Sequence, residues 1–315
     1  MPDIRPINPK LIYLSNRDRV DWDRVVTDWL AIQRSPNTQR AYRHDITQFL
    51  AHAPQLHLGV ILSDRFYAYE IINRYRGELL KQELAPATIN RKLAAIKSLA
   101  AYCHNCGHCE FTLEAVKLEK NKGYRDTSGI DAIAFKKLLD TCDRSILGLR
   151  DFAILSLLWA NALRRAEVYR CDVSDFDFQL KSLRIFGKGR GNQSETIFLG
   201  ESTKDAIAVY LGTRSGSGDE PLFIAHKAGY EGRRLSTNSI YNIVHNRAES
   251  AGISKKMSPH RIRHSAITTA LDVTGGDVRR VQKLSRHSNL NTLMIYDDNR
   301  RNAQGEITDL LDGLV

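Results

Sequence analysis

The sequence predicts a mainly α-helical protein of two domains, the second of which is an α+β domain with a small antiparallel sheet. Three observations support this fold class. Apolar residues recur at helical spacing from Trp22 to about residue 107. A charged stretch without apolar periodicity, residues 117–129, then divides the chain. After residue 172 the apolar pattern becomes alternating and is interrupted by glycines, which is typical of short paired strands.

The first domain, residues 21–116, is predicted to be a helical bundle that follows an irregular leader, residues 1–20. In its first helix, apolar residues recur every three or four positions from Trp22. The second helix has a candidate N-cap at Asn37 or Thr38. The third and fourth helices are predicted over residues 66–83 and over LAPATINRKLAAIKSLAAYC, which ends near Gly107.

The second domain, residues 130–315, is predicted to follow a basic linker over residues 117–129. It begins with a helix, DAIAFKKLLDTC, and continues with a strongly apolar helix that breaks near Asn161 and resumes. The alternating stretch that contains FGKGRG predicts a sheet of about three strands. Helices then return, and Ser258-Pro259 marks the start of one of them. The final apolar stripe, ITDLLDGLV, predicts a terminal helix that docks on a neighbouring subunit or caps its own domain.

Composition narrows the possible partners. The chain of 315 residues carries a formal charge of +10 and has a pI near 9.4, which favours a polyanionic partner. It contains no apolar run long enough to span a membrane, and its N-terminus lacks the apolar core of a signal peptide. Five cysteines in such a chain indicate reduced thiols. We therefore expect a cytoplasmic protein that is nucleoid-associated if its partner is DNA.

One cysteine cluster invites a metal-site hypothesis. In CHNCGHCE, Cys103, Cys106 and Cys109 have the spacing C-x₂-C-x₂-C. The distant second pair of ligands that usually completes a structural zinc site is missing from the sequence. Gly107 also suggests that a helix ends here. We predict that no metal binds and keep a metal site as the alternative.

The candidate chemistry is concentrated near the C-terminus. SPHRIRHSAIT places His260 and Arg263 three residues apart at the start of a helix, which puts them on one face. LSRHSNLNTLMIY contains His287 and, nine residues later, Tyr296. Two imidazoles, a guanidinium and a phenol indicate chemistry on an anionic centre.

Two upstream motifs supply further charged side chains. ALRRAEV places Arg164 and Glu167 at positions i and i+3. FGKGRG holds Lys188 in a turn whose flanking glycines allow positive φ and remove steric bulk, so that the lysine can lie close to a ligand. Taken alone, such a turn is more often a simple hairpin.

In this order, the motifs resemble the tyrosine recombinase (phage integrase) family, in the simple two-domain form of the Xer and Cre recombinases. ALRRAEV matches the first-arginine box, FGKGRG the β-hairpin lysine, SPHRIRHSAIT the His-x-x-Arg box and LSRHSNLNTLMIY the terminal His and Tyr box. NTQRAYRHDITQFL and LAPATINRKLAAIKSLAAY are similar to the core-binding domain of that family. The resemblance covers residues 22–296, which is most of the chain.

The resemblance implies site-specific DNA recombination or integration through a 3′-phosphotyrosyl intermediate, without a metal, ATP or another cofactor. Tyr296 would attack phosphorus. Arg164 and Arg263 would hold the non-bridging phosphate oxygens, a task suited to guanidinium groups. The resemblance assigns three further roles. Lys188 would donate a proton to the leaving 5′ oxygen and His260 would act as the general base. His287 would donate a hydrogen bond to the phosphate. Glu167 would orient the basic side chains.

The resemblance also implies a C-shaped clamp around double-stranded DNA and a homotetramer on DNA in which C-terminal segments are exchanged. No membrane partner is expected. The resemblance favours a simple two-domain recombinase or the integrase of a mobile genetic element, and it leaves open whether the DNA element is a chromosome, plasmid, phage or transposon. Basic residues in the first domain and linker are candidate DNA contacts: Arg40, Arg43, Arg91, Lys92, Lys97, Lys120, Lys122 and Arg125.

Some residues depart from the family pattern and leave alternatives open. Arg286 stands where the family usually has glycine, so it either changes the local turn or adds a phosphate contact. Asp297 and Asp298 follow the expected nucleophile and would oppose its ionisation unless they turn away or pair with arginines. His264, next to Arg263, is interpreted as structural. The alternative functions are an enzyme similar to type IB topoisomerases and a DNA-binding family member with impaired catalysis.

Overall fold

The computed structural model describes residues 20–120, 129–187, 194–214, 216–287, 290, 293 and 303–314, with the backbone alone described for residues 303–307. The chain forms two compact units, residues 1–124 and 125–315. Each unit has a hydrophobic core of its own. The predicted fold class, mainly helical with a small antiparallel sheet, is confirmed.

The first unit is a bundle of helices, in agreement with the sequence pattern. Its helices are α1 (Trp22–Ala31), α2 (Pro36–His52), α3 (Leu58–Ile61), α4 (Arg65–Lys81) and α5 (Pro86–Asn105). The predicted N-cap of α2 was wrong by two or three positions, because the helix begins at Pro36 with Ser35 as its N-cap. Proline is favoured at the first helical position, since its missing N–H would have no partner there. The short helix α3 was not predicted.

The core of the first unit is organised around α5, which contacts α1, α2 and α4. Trp29 of α1 is completely buried, and its indole Nε1 donates to Ser98 Oγ of α5 at 3.1 Å. Its ring stacks on that of Tyr42 in α2, with ring centroids 5.5 Å apart. The aromatic pair joins α1 to α2 and the hydrogen bond joins α1 to α5, so the indole N–H has its partner inside the core.

The segment after the bundle remains attached to the first unit through residue 119. Glu119 Oε1 accepts a hydrogen bond from Arg76 Nε at 2.6 Å, and the Glu119 amide donates to Asn90 Oδ1 at 2.7 Å. The beginning of the stretch predicted as a linker therefore packs on the bundle. Most of the rest of that stretch, residues 121–128, lies outside the described residues.

The second unit contains helices on either side of a short sheet in the sequence. Its elements are α6 (Ala132–Asp140), α7 (Ile146–Ala160), α8 (Arg165–Arg170), a 3₁₀ turn (Val173–Asp175), β1 (Phe176–Asp177), β2 (Ser182–Phe186), β3 (Ser194–Phe198), α9 (Glu201–Gly212), α10 (Thr237–Ser250), α11 (Pro259–Val273), α12 (Val278–Ser285) and α13 (Ala303–Asp312). The predicted break near Asn161 and the three-stranded sheet are confirmed.

Helix α7 is the centre of the second unit. Its residues Leu155, Leu157 and Leu158 are completely buried, and the helix contacts α9, α10 and α11. From residue 152 to residue 160 the helix carries almost only apolar residues, as is expected of a helix inside a core. Because α7 is fixed on several sides, the loop that follows it at Asn161 is held in a defined position.

The sheet is antiparallel, with β2 between β1 and β3. Leu183 of β2 lies opposite Ile197 of β3, and both side chains face the core of the unit. Strand β3 connects to the end of α7, since Asn161 Nδ2 donates to the Phe198 carbonyl at 2.8 Å. The sheet is thereby joined to the loop that precedes α8.

In the described part of the chain, none of the helices combines the length and the apolar character that crossing a membrane requires.

Candidate active site

Arg164 lies at the N-terminus of α8, directly after the loop that ends α7. Its backbone is extended, and Glu167 folds back to accept hydrogen bonds from the Arg164 amide at 2.8 Å and from Arg164 Nη1 at 2.7 Å. The arginine side chain is 30 % exposed, whereas that of Glu167 is 2 % exposed. The buried Glu167 carboxylate thus holds the partly exposed guanidinium of Arg164, and the orienting role of Glu167 stays a prediction.

The charge of Glu167 is held by its neighbours. Burial alone would raise the pKa of its carboxyl, but Arg286 and the hydrogen bonds from Arg164 outweigh burial and hold the pKa below its ordinary value. The carboxylate is therefore ionised at neutral pH and can restrain two guanidinium groups at once.

Arg263 lies on the buried side of α11 and is only 2 % exposed. The predicted start of this helix is confirmed, since Ser258 Oγ accepts from the Arg261 amide and Pro259 occupies the first helical position. Arg263 donates through Nη1 to the Ala162 carbonyl and through Nη2 to the Ser285 carbonyl. The guanidinium thus links the end of α7 to the end of α12.

His287 follows α12 and contacts Arg263, with Nη2 and Nε2 separated by 3.4 Å. Its Nδ1 lies 3.1 Å from the buried Ser285 hydroxyl, and its carbonyl accepts from Gln282 Nε2 at 3.0 Å. Burial, together with Arg263 and Arg164, lowers the pKa of His287 to about 4. The imidazole is therefore neutral at physiological pH, and one of its two nitrogens is a donor.

His260 is exposed at the start of α11 and pairs with a histidine that the sequence interpretation had set aside. His264, one turn later, places its Nε2 2.6 Å from His260 Nε2, and the two rings are perpendicular. Burial, followed by the charges of His260 and Arg263, lowers the pKa of His264 to about 3. The i, i+4 spacing of two histidines on one helix was the sequence signal for this contact.

Arg286 follows neither of the two alternatives that the sequence left open. Its backbone lies in the left-handed region, with φ 56° and ψ 36°, where glycine is the usual residue. Its side chain is 7 % exposed and turns inward to Glu167 Oε2, at 3.0 Å. Arg286 therefore keeps the turn that glycine would make, and its guanidinium is engaged inside the protein and is not directed at a ligand.

Several predicted residues lie outside the described part of the chain. They are Lys188, Tyr296, Asp297, Asp298, Lys122 and Arg125. Of the six candidate catalytic residues, the structure therefore places four, and it brings Arg164, Arg263 and His287 together around the end of α12. His260 lies on the first turn of α11.

The candidate DNA contacts of the first unit differ in their availability. Arg40, Arg43 and Lys120 are exposed. Arg91 pairs with the buried carboxylate of Asp45, yet its side chain remains 41 % exposed.

Two of the candidate lysines are engaged within the bundle. Lys92 is buried, donates to Gln48 Oε1 and lies 3.5 Å from Asp45 Oδ1. Its ammonium is therefore not available at the surface for a contact with DNA. Lys97 donates to the carbonyls of Glu114 and Val116, each at 3.1 Å, and so holds the following segment.

The cysteine cluster is tied into the end of α5. Cys103 and Cys109 are buried and Cys106 is exposed. The Cys109 carbonyl lies 3.0 Å from His104 Nδ1, and burial raises the pKa of the Cys103 thiol to about 12. A metal ligand must be a thiolate, which this burial disfavours. Among the described residues, no group of three potential ligands is close enough to hold a metal ion.

The second unit contains a cavity of about 610 Å³ that is separate from the candidate active site. It is lined by Arg150, Asp151 and Arg247 among others. Both guanidiniums donate to the Asp151 carboxylate, at 2.8 Å from each Nη2. Arg150 and Asn161 are eleven residues apart along α7, which corresponds to ~16 Å at 1.5 Å per residue. The charged groups of the cavity thus connect α7 to α10 and take no part in the candidate site.

Comparison with known proteins identifies the family. The model of the phage integrase family matches residues 130–303, more than half of the chain, and that of the phage integrase N-terminal SAM-like domain matches residues 28–105. The chain belongs to the phage integrase family. It is a tyrosine recombinase, an enzyme that transfers DNA strands in site-specific recombination.

Relatives of this phage integrase family member match it over nearly its whole length. A tyrosine recombinase of Synechocystis sp. is 48% identical over 301 residues, covering 92% of this chain and 95% of the relative. The tyrosine recombinase XerC of Corynebacterium glutamicum is 31% identical, covering 85% and 83% of the two chains. Among solved structures, the XerH recombinase bound to DNA has a TM-score of 0.67 at 18% identity, covering 87% and 80%, and supports the fold.

Proposed function

We propose that this recombinase breaks and rejoins double-stranded DNA through a 3′-phosphotyrosyl intermediate, with Tyr296 as the nucleophile. The observation that carries the proposal is the meeting of Arg164, Arg263 and His287, which come from three separate parts of the chain, around the end of α12. Two guanidiniums and a neutral imidazole suit a phosphate that gains negative charge in the transition state.

Arg164 and Arg263 are proposed to bind the non-bridging oxygens of the scissile phosphate. Arg164 contributes a partly exposed guanidinium, and Arg263 contributes a buried one that is fixed by backbone carbonyls. Groups that are already oriented need no reorganisation when charge develops, and removing one such donor typically lowers the rate by about 10²–10³-fold.

His287 is proposed to donate a hydrogen bond to the same phosphate. Without DNA, Nε2 faces Arg263 Nη2, which can only donate, so Nε2 accepts and Nδ1 carries the proton toward the Ser285 hydroxyl. A phosphate oxygen near Nε2 would reverse this tautomer, with the proton on Nε2 and Nδ1 accepting from the Ser285 hydroxyl 3.1 Å away. Because its pKa is lowered to about 4, His287 acts as a neutral donor. It does not add a further positive charge to the two guanidiniums.

The proton transfers are assigned to His260 and Lys188. A tyrosine hydroxyl has a pKa near 10, so Tyr296 needs a base, and His260 at the exposed start of α11 is the proposed base. Lys188 is the proposed acid for the leaving 5′ oxygen. The phosphotyrosyl bond conserves the energy of the broken phosphodiester, so rejoining needs no ATP.

The proposed assembly is a C-shaped clamp on DNA that acts as a homotetramer and exchanges C-terminal segments. Helix α13 supports this exchange, since Leu310, Leu311 and Leu314 are between 59 and 80 % exposed and form an apolar surface that another subunit could cover. With DNA as its substrate, the protein is proposed to act in the cytoplasm, on the nucleoid. Whether the outcome is integration, excision or resolution depends on the DNA sites.

A covalent-capture experiment tests the proposal. The protein is incubated with a library of nicked suicide duplexes that carry a randomised central segment, and covalent adducts are isolated on a denaturing gel. We expect an adduct with wild-type protein and none with Tyr296→Phe. Sequencing the trapped DNA would identify the cleavage site, and Arg164→Ala would reduce adduct formation without preventing DNA binding in a mobility-shift assay.

Two other outcomes separate the alternatives. DNA binding without an adduct would contradict the proposal and favour a DNA-binding family member with impaired catalysis. An adduct together with relaxation of supercoiled plasmid, but without exchange between two duplexes, would favour an enzyme similar to type IB topoisomerases.

A further inference from the structure

Arg286 occupies a backbone position that is unfavourable for a residue with a side chain. It ends α12 in the left-handed conformation, and its amide donates to the Gln282 carbonyl at 2.7 Å. Glycine adopts this conformation at little cost, whereas a Cβ atom is crowded there. The arginine side chain at this position must therefore contribute interactions that offset the strain.

The side chain makes those interactions inside the protein. Arg286 Nη1 donates to the carbonyls of Leu284 at 2.7 Å and Asn161 at 3.1 Å. Arg286 Nη2 donates to Glu167 Oε2 at 3.0 Å and to the Ala162 carbonyl at 3.3 Å. Only a planar, forked donor can reach four acceptors of this kind from one side chain.

The acceptors that Arg286 uses also orient the two proposed phosphate-binding arginines. Glu167 accepts from Arg164, and the Ala162 carbonyl accepts from Arg263. In addition, Arg164 Nη2 lies 3.3 Å from the Arg286 carbonyl. The next residue along the chain is His287. Arg286 therefore contacts one acceptor that holds Arg164 and one that holds Arg263, and it directly precedes His287.

We propose that Arg286 is a positioning residue for DNA strand cleavage. Its guanidinium fixes Glu167, the loop after α7 and the turn before His287 relative to one another, so that Arg164, Arg263 and His287 address one phosphate. This inference rests on the proposed function of those three residues. Arg286 itself does not contact the DNA, because its side chain is buried and its Nη atoms are engaged.

The test compares Arg286→Gly with wild-type protein in single-turnover cleavage of a suicide duplex recovered by covalent capture. Glycine suits the backbone conformation and removes only the guanidinium and its stem. We expect the cleavage rate at saturating DNA to fall about 10²-fold, the effect typical of a small misplacement of reacting groups, while the Kd for DNA changes little. Arg286→Lys is expected to recover only part of the rate, because an ammonium cannot bridge the same acceptors.

Chemical rescue distinguishes positioning from a general loss of folding. Millimolar methylguanidinium, far below denaturing concentrations, should restore part of the rate of Arg286→Gly and have no effect on Arg286→Leu, whose side chain fills the space. Arg280→Ala in α12 removes an exposed arginine of the same helix and should cleave at the wild-type rate. A wild-type rate for folded Arg286→Gly, or a loss that only follows its unfolded fraction, would overturn the inference.

Crystal structures of the DNA-free proteins decide the matter independently of activity. In Arg286→Gly we expect the guanidiniums of Arg164 and Arg263 to change position or become disordered relative to wild type. Identical positions would overturn the inference even if cleavage were reduced. If wild-type protein formed no adduct at all, the proposed function would fail, while these two structures would still show whether Arg286 orients the arginines.

Discussion

His260 and His264 contact each other through their Nε2 atoms, which lie 2.6 Å apart on successive turns of α11, with ring planes at 88°. Such a contact requires that one nitrogen carries the proton and the other accepts it. Burial and the charge of His260 keep the pKa of His264 at about 3, so His264 is neutral at physiological pH. His264 therefore fixes which nitrogen of the proposed general base is engaged and which is left for Tyr296.

Replacing His264 with alanine is expected to slow strand cleavage. The variant loses one hydrogen bond to His260, worth about 0.5–1.5 kcal/mol, which corresponds to a rate reduced by up to about tenfold. The pH dependence of cleavage should also shift, since the imidazole of His260 would have a new environment. Single-turnover rates of covalent adduct formation between about pH 5.5 and pH 9, a range that includes the ordinary histidine pKa of about 6.5, measure both effects.

His264→Asn is the matched control, because asparagine can keep a polar contact with His260 on the same helix face. It should retain more activity than His264→Ala at equal folded fraction. An unchanged rate and an unchanged pH profile in His264→Ala would mean that the contact has no part in catalysis.

Two half-buried histidines, His264 and His287, predict a loss of stability in acid. The pKa values of His264 and His287 in the folded protein are about 3 and about 4, both lowered from 6.5, chiefly by burial. As the pH falls through 6.5, the unfolded chain takes up protons that the folded protein does not, so the free energy of unfolding decreases, down to about pH 4 for His287 and about pH 3 for His264. Urea unfolding at several pH values should show this slope. It should be shallower in His264→Gln/His287→Gln, and an equal slope would contradict the assignment.

The sequence predicted those features that depend on periodicity and local signals. Apolar spacing located the bundle and the apolar helix α7, and Ser258-Pro259 located the start of α11. The capping of α2 was misplaced, because asparagine and threonine are good caps but Pro36 selects Ser35. Motif order, and not periodicity, brought Arg164 and His287 into one hypothesis.

The direction of long side chains could not be predicted from the sequence. Arg286 was expected to change the turn or to reach phosphate, and its inward path depends on Glu167 and on the loop at Ala162, which are distant in sequence. Lys92 was likewise predicted to contact DNA. Its burial depends on Asp45, a carboxylate of another helix. Such pairings arise from tertiary packing and leave no local signal.

Lys92 and Arg43 should respond differently to alanine substitution. Lys92→Ala removes a partner of the completely buried Asp45 and should lower the stability of the protein by about 1–3 kcal/mol, with little effect on the DNA affinity of the folded protein. Arg43→Ala, at an exposed position, should weaken binding to a duplex and reduce the slope of log K against log salt by about 0.9.

Thermal unfolding and fluorescence anisotropy with a labelled duplex at several salt concentrations measure the two effects. A weakened salt dependence in Lys92→Ala, at unchanged stability, would show that this lysine reaches the DNA despite its burial.

Ala162→Gly should preserve both stability and activity, although it changes a buried residue next to the proposed site. Ala162 has φ 45°, a left-handed conformation that costs a residue with a Cβ atom roughly 1–2 kcal/mol, and glycine relieves this cost. The carbonyl that accepts from Arg263 is retained.

Ala153→Gly, at an equally buried position inside α7, is the matched control, because it loses the same methyl group and also the helical preference of alanine. By urea unfolding, Ala162→Gly should be more stable than Ala153→Gly by at least about 1 kcal/mol. Equal destabilisation of the two variants would mean that the left-handed conformation at Ala162 carries no strain.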